Sequence, residues 1–242
     1  MPKVWTGSAW LTKTPKVWTG STWAVKPMKV WTGTTWKAAD PVTVVGSSYI
    51  NQVSASTTMT MTLPSGLQTG DRLYIAAFST DTNAGSAVTE SITGWTAVTA
   101  KADVGTAQRA LYTALYTSGL AAPVWTLAAS RKSAYACVAV RYANASPVVD
   151  LANGGGLTST APTVTGPIGL TLRFYVRKDS LSGSVTAPSG STLITGALGV
   201  ATGPSAHILA YSIPQATAGA TGTAVTTWPV TSTNSTAWTI AL

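Results

Sequence analysis

Pro2-Lys-Val-Trp-Thr-Gly-Ser-Ala-Trp10, Pro15-Lys-Val-Trp-Thr-Gly-Ser-Thr-Trp23 and Met28-Lys-Val-Trp-Thr-Gly-Thr-Thr-Trp36 are three copies of one phrase with a period of 13 residues. They hold six of the ten tryptophans in a chain of 242 residues. A fixed period of this kind marks a repeated structural unit. Thr-Gly between two short apolar runs predicts a tight β-hairpin, with Gly7, Gly20 and Gly33 supplying the positive φ of the turn. A two-residue turn centred on Thr-Gly sets Trp5 against Ser8, Val4 against Ala9 and Lys3 against Trp10. Lys3, Trp5, Ser8 and Trp10 then share one face, since side chains alternate across a strand. A three-residue turn would give other pairings.

A lone hairpin is marginal in water, and so small a unit rarely makes a sufficient core. Two indoles per hairpin therefore need a surface to cover them. Residues 1–40 read as an anchoring or oligomerisation segment. Its expected contact residues are Trp5, Trp10, Trp18, Trp23, Trp31 and Trp36, with Lys3, Lys16 and Lys29 beside them.

Composition narrows the remainder. Charged residues make up 9% of the chain and the formal net charge is +8. Residues 1–40 carry six lysines against Asp40, a net of +5, which leaves +3 for the rest. Lysine interleaved with tryptophan is a pattern that can bind nucleic acid. Here the lysines recur as punctuation of the repeat, which fits protection of hairpin edges better. Cys137 is the single cysteine, so no intrachain disulfide forms. It sits in Ala-Tyr-Ala-Cys-Val-Ala-Val and reads as a small core residue. No apolar run is long enough for a membrane helix, and no signal peptide pattern follows Met1. The expected origin is therefore the cytoplasm of the producing cell.

Asp40-Pro41 marks a boundary, after which the chain turns to short β-rich runs punctuated by Gly, Pro and Asn. Expected strands are 42–45, 57–63, 72–79, 95–99, 109–117, 124–128, 134–142, 162–165, 169–176, 191–195, 206–213, 224–228 and 236–241. Leu73–Phe78 and Ala134–Val140 are nearly continuous apolar runs and should be central. No amphipathic helix is expected. The region also repeats itself. Thr62-Leu63-Pro64 matches Thr160-Ala161-Pro162, and Asp81 matches Asp179, both at an offset of 98. Gly94–Thr99 matches Gly190–Thr195 at 96, and Trp125 with Tyr135 matches Trp228 with Trp238 at 103. Residues 41–242 thus read as one jelly-roll-like β-sandwich of two related halves, about 42–145 and 146–242. Trp125, Tyr135, Cys137, Trp228 and Trp238 are its expected core. The stretch 144–156, with Asn-Gly-Gly-Gly, reads as a flexible surface loop between the halves.

Catalytic patterns are wanting. His207 is the single histidine, and no Ser-His-Asp, Cys-His or metal-ligand motif surrounds it. The acids after residue 40 are Asp71, Asp81, Glu90, Asp103, Asp150 and Asp179. A glycosidase pair could be drawn from them only on paper. Asp71, in Thr-Gly-Asp-Arg, reads as a turn residue before a strand, and Asp81 and Asp179 as equivalent strand ends. The expectation is a protein without enzymatic activity and without cofactor or metal.

Lys-Val-Trp-Thr-Gly-x-x-Trp, repeated, resembles a motif of virion proteins of tailed phages, especially minor tail proteins of phages that infect actinobacteria. Leu63–Leu73, Gly94-Trp95-Thr96, Val124–Leu127 and the strand ending in Arg141-Tyr142 resemble a β-sandwich domain of the same proteins. Together these segments cover most of the chain. The resemblance implies a non-enzymatic structural subunit of the virion, whether minor tail, fibre or capsid decoration. Its partners would be other virion proteins and sister copies, with threefold symmetry by analogy with fibres. The competing expectation is a host-surface adhesin, or carbohydrate-binding module, whose tryptophans stack on envelope glycans.

Overall fold

The computed structural model describes residues 3–8, 10–12, 16–25, 29–31, 36–38, 42–80, 93–143, 147–180, 183–197 and 205–242. All regular structure among them is β-strand, and none of them forms a helix long and apolar enough to cross a membrane. The Asp40-Pro41 boundary lies outside the described residues. Three two-stranded hairpins come first: β1 (Lys3–Trp5) with β2 (Trp10–Thr12), β3 (Lys16–Trp18) with β4 (Trp23–Val25), and β5 (Lys29–Trp31) with β6 (Trp36–Ala38).

The body is a sandwich of two five-stranded antiparallel sheets. The first holds β7 (Thr43–Thr60), β8 (Arg72–Ser79), β9 (Thr96–Val104), β10 (Ala107–Leu115) and β11 (Val124–Arg141), in the order β7-β11-β8-β10-β9. The second holds β12 (Val148–Ala161), β14 (Gly169–Asp179), β15 (Thr192–Ala197), β16 (Ser205–Gln215) and β18 (Ala224–Ala241), in the order β12-β18-β14-β16-β15. Short strands β13 (Thr165–Gly166) and β17 (Gly219–Ala220) pair with each other beside it. Counted within its own half, each sheet runs first-fifth-second-fourth-third. The two halves of the sequence therefore share one topology, and each builds one sheet. As their apolar runs require, β8 and the second part of β11 are interior strands, with Leu73–Phe78 and Ala134–Val140 at most 2% exposed.

The central strands of each sheet are buried on both faces. Tyr74, Ala76, Phe78, Ala136 and Val138 of the first sheet meet Leu172, Phe174, Val176, Ile208, Trp238 and Ile240 of the second in a shared core. The alternate side chains point the other way, as the pleat demands. Leu73, Ile75, Tyr112, Trp125, Tyr135 and Cys137 form a second cluster on the outer face of the first sheet. Tyr175, Leu209, Tyr211 and Trp228 do the same on the second. The outer faces are covered because the 18-residue strands β7, β11 and β18 bend back over their own sheets. Trp125 and Tyr135, both in β11, stack with ring centroids 4.4 Å apart, which a straight strand could not allow. Register shifts between Thr126, Arg131 and Ser133 supply the bend.

Several expectations are corrected by this curvature. The segments expected at 42–45 and 57–63 fall, apart from residues 42 and 61–63, within one strand, β7, as do 124–128 and 134–142, apart from residue 142, within β11, and 224–228 and 236–241 within β18. The residues between them are mostly polar, and the neighbouring strand pairs with them on either side of the bulges. In place of the strand expected at 162–165 there is only the two-residue β13. The stretch 148–156 is not a flexible loop: it lies in β12, with Asn153 opposite Thr236, Gly154 opposite Ser235 and Gly156 opposite Ser232. Gly156, at φ 83°, takes the bulge that an edge strand tolerates. Tyr135 and Trp238 are also not equivalent. Tyr135 joins the outer cluster of its sheet and Trp238 the shared core. The irregular pairing at Gly154–Thr158 breaks strict alternation between Trp228 and Trp238, so these two face opposite sides.

The turn between β9 and β10 is keyed into the second sheet. Asn234 Oδ1 accepts from the Thr106 amide (3.3 Å), and Asn234 Nδ2 donates to Thr106 Oγ1 (2.9 Å). Lys178 Nζ donates to the Thr106 carbonyl (3.0 Å) and hydroxyl (2.9 Å). Gly105 has φ 58°, and a Cβ there would lie 1.8 Å from Asn234 Oδ1. Gly105→Ala therefore combines left-handed strain with a broken clasp. It should lower stability by about 2 kcal/mol or more, read as a fall in the urea midpoint of the full chain. An unchanged midpoint would show that the clasp does not hold the sheets together.

Candidate functional site

The hairpins are built around their tryptophans. Trp5 pairs with Trp10, Trp18 with Trp23, and Trp31 with Trp36, with the same register in all three. The sequence-based pairing was two residues out of register. Lys3 lies opposite Thr12 and Val4 opposite Leu11, because the turn is centred on Gly-Ser and not on Thr-Gly. The second hairpin shows why. Gly20 has φ 97°, as Gly7 has φ 94°, at the first central position where a type II′ turn needs it. Thr19 and Thr22 bracket the turn. The Thr19 amide donates to the Thr22 carbonyl at 2.9 Å, and the Thr22 amide donates to Thr19 Oγ1 at 3.3 Å. Gly33 lies outside the described residues.

The shifted register places two indoles directly opposite each other, the closest side-chain relationship a hairpin offers. The Trp18 and Trp23 ring centroids are 5.6 Å apart at 56°, a favourable tilted aromatic pair. Lys16 shares their face, since it is two residues from Trp18 on the same strand. The pair is not buried by the chain itself: Trp18 is 52% exposed, Trp23 65% and the adjoining Val17 51%.

Trp23 and Lys16 form one wall of a cleft of about 620 Å³. The opposite wall is the 68–71 turn with Leu115 and the segment 141–143. Asp71 organises that wall and is itself buried. Its Oδ2 accepts from the Gln68 amide (2.7 Å), in the turn role the sequence implied. Arg141 also grips it in bidentate fashion, Nε to Oδ1 and Nη2 to Oδ2, both at 2.8 Å. The bond to Asp71 raises the pKa of the Arg141 guanidinium above its ordinary value. Tyr142 follows with φ 62°, the one positive φ outside glycine among the described residues.

A second constellation lies inside the outer fold of the second sheet. Arg177 and His207 are opposite each other on β14 and β16, and Asp179 is two residues along on the same face. Arg177 Nε donates to Asp179 Oδ2, and Arg177 Nη2 to the Val230 carbonyl. Its guanidinium lies 5.2 Å from the Trp228 ring centroid, within cation–π reach. His207 Nε2 is 2.8 Å from Asp179 Oδ1 and 3.2 Å from the Asp179 carbonyl. Both neighbours accept, so Nε2 carries the hydrogen. Arg177 and His207 are 0% exposed. Burial lowers the pKa of Arg177, and Asp179 opposes that shift. Arg177 and His207 lie fully inside, Asp179 reaches the edge of a surface cleft, and the cluster pins the ends of β14 and β16. Sequence reading reduced Asp179 to a strand end and left His207 without partners. The signal was Leu-Thr-Leu-Arg-Phe-Tyr-Val-Arg-Lys-Asp (170–179), whose Arg173, Arg177 and Asp179 fall on one strand face.

No family model, no curated protein and no solved structure matches this chain. The site therefore rests on its own geometry. Trp125, Tyr135, Cys137, Trp228 and Trp238 are at most 2% exposed. Asp81 and Glu90 lie outside the described residues. Among the described residues, no group of three or more His, Cys, Asp or Glu is placed to hold a metal ion.

Asp179→Ala would leave Arg177 buried without its carboxylate and should cost about 3–5 kcal/mol, whereas replacing both partners, as in Arg177→Met with Asp179→Leu, should cost less. Urea unfolding of the two variants tests this. A double variant less stable than Asp179→Ala would show that the pair contributes net stability.

Proposed function

We propose that this protein is a non-enzymatic structural subunit of a tailed-phage particle, a minor tail, fibre or capsid-decoration component. It docks to neighbouring virion proteins, or to copies of itself, through its tryptophan hairpins. One observation carries the reading. Each hairpin sets two tryptophans directly opposite each other, and the described pair remains more than half exposed. Trp18, Trp23 and the adjoining Val17 are exposed together, an apolar patch of the kind that marks an interaction surface, and tryptophan is among the residues most enriched at interface hot spots. The repeat carries the same cross-strand tryptophan pairing three times along one chain. The body complements it: the central strands of its two sheets are buried on both faces. The resemblance of the repeat to virion proteins supplies the setting.

The test replaces one tryptophan per hairpin, as in Trp5→Ala with Trp18→Ala and Trp31→Ala. Light scattering gives the mass of the full chain and of the variant. Co-sedimentation with assembled particles gives docking. Assembly or docking should weaken by about 2 kcal/mol or more per buried ring, with the urea midpoint of the body unchanged. A triple variant that assembles and docks like the parent overturns the proposal.

A further inference from the structure

The outer interior of the second sheet holds a charge that the chain itself does not balance. Arg173, Arg177, Asp179 and His207 share that face of the sheet, each at most 8% exposed. Asp179 is the one carboxylate among them, and it is spent on Arg177 and His207. Arg173 stands six residues back along β14, about 20 Å from Asp179 at the rise of a strand. It is 1% exposed, and no carboxylate among the described residues forms an ion pair with it. We propose that this interior binds a small monovalent anion, chloride in ordinary salt, through the unused N–H groups of Arg173 and the hydroxyl of Thr226.

The donors are already in place. Arg173 Nη2 donates to the Thr221 and Gly222 carbonyls. Arg173 Nε and Nη1 have no hydrogen-bond partner, and neither has Thr226 Oγ1, whose residue is 0% exposed. Tyr175 brings these groups together, since its phenol lies beside both Arg173 and Thr226 and donates to the Ala224 carbonyl. It does not supply the missing charge. Burial raises the Tyr175 pKa, with Arg173 opposing the shift, so the ring stays a neutral phenol. Arg173 keeps its proton, as guanidinium groups in proteins do. An uncompensated charge in an apolar interior is strongly unfavourable. Water would satisfy the N–H groups without cancelling that charge, whereas one anion does both. Packing against Tyr175, Leu209 and Trp228 limits the occupant to a small ion. The site lies one layer below the surface: Gly222, in the turn that covers Arg173, is exposed, and opening of that turn gives an ion its entry. Once bound, the anion ties β14 to the returning arm of β18 that carries Thr226.

The test is urea unfolding of the full chain in sodium chloride, in sodium bromide and in sodium gluconate at equal ionic strength. Gluconate is too large for the site, so it controls for screening. In chloride and bromide the midpoint should climb with the logarithm of concentration once the site begins to fill, by roughly 0.5 M urea for each tenfold. Gluconate should give no such climb. Thr226→Val keeps the shape and removes the hydroxyl, and should raise the chloride concentration needed by about tenfold. Arg173→Met should abolish the dependence. Crystals grown in bromide should show an anomalous peak within hydrogen-bond reach of Arg173 Nε or Nη1. Equal midpoints in chloride and gluconate, a chloride dependence unchanged in Thr226→Val, or water without anomalous signal beside Arg173 would overturn the proposal. The hairpins take no part in the site, so its failure would leave the docking reading untouched.

Discussion

Everything in the body depends on burying both faces of the central strands of each sheet. Two flat sheets pressed together would hide one face each and leave the other to water. Here the longest strands bend at bulges and return over their own sheets, so Trp125 packs on Tyr135 of the same strand and Trp228 closes over Tyr175 and its neighbours. Each half has its own interior and also contributes to a common one. Hence a chain with 9% charged residues can keep its apolar runs covered. The hairpins are the exception: in the described pair, the indoles remain open.

The two interiors are filled differently although their topology is the same. Methionine, leucine, isoleucine, alanine and cysteine pack the first around Trp125. The second admits Arg173, Arg177, Asp179 and His207 among its aromatics. Arg173 Nη2 donates to the Thr221 and Gly222 carbonyls at 3.1 and 2.6 Å. Tyr175 donates to the Ala224 carbonyl at 3.0 Å. These bonds tie the second sheet to the turn that enters β18. A charged interior of this kind is weak evidence for net stability. It does set the halves apart: a strand carrying Arg177 cannot replace β8, whose partners offer no counter-charge.

Local pattern made part of this legible. The run Leu73–Phe78 is buried on both faces and bounded by Asp71 and Ser79, so β8 could be read to the residue. Duplication was legible through landmarks that recur at strand ends. Curvature was not. Residues 46–56 and 153–156 are rich in serine, asparagine and glycine, which reads as loop, while a neighbouring strand holds them in a ladder. Bulges also defeat counting: ten residues separate Trp125 from Tyr135, and ten separate Trp228 from Trp238, yet the first pair shares a face and the second does not. The hairpin register was missed because Thr-Gly and Gly-Ser are both plausible turn centres; the threonine hydroxyl bonds of Thr19 and Thr22 decide between them. The ionic cluster could have been read from alternating charges in residues 170–179, but its partner His207 comes from a distant strand.

The identical register of the three hairpins has a consequence for strength of attachment. Only three residues separate Thr12 from Lys16, and three separate Val25 from Lys29. In the proposed docking role, once one hairpin has landed, the next searches for its seat at an effective concentration in the millimolar range. Release then requires all the feet to lift together. Under that proposal, a chain of this design would be held durably by contacts that are individually reversible, so that a misplaced copy could let go and try again before it is fixed.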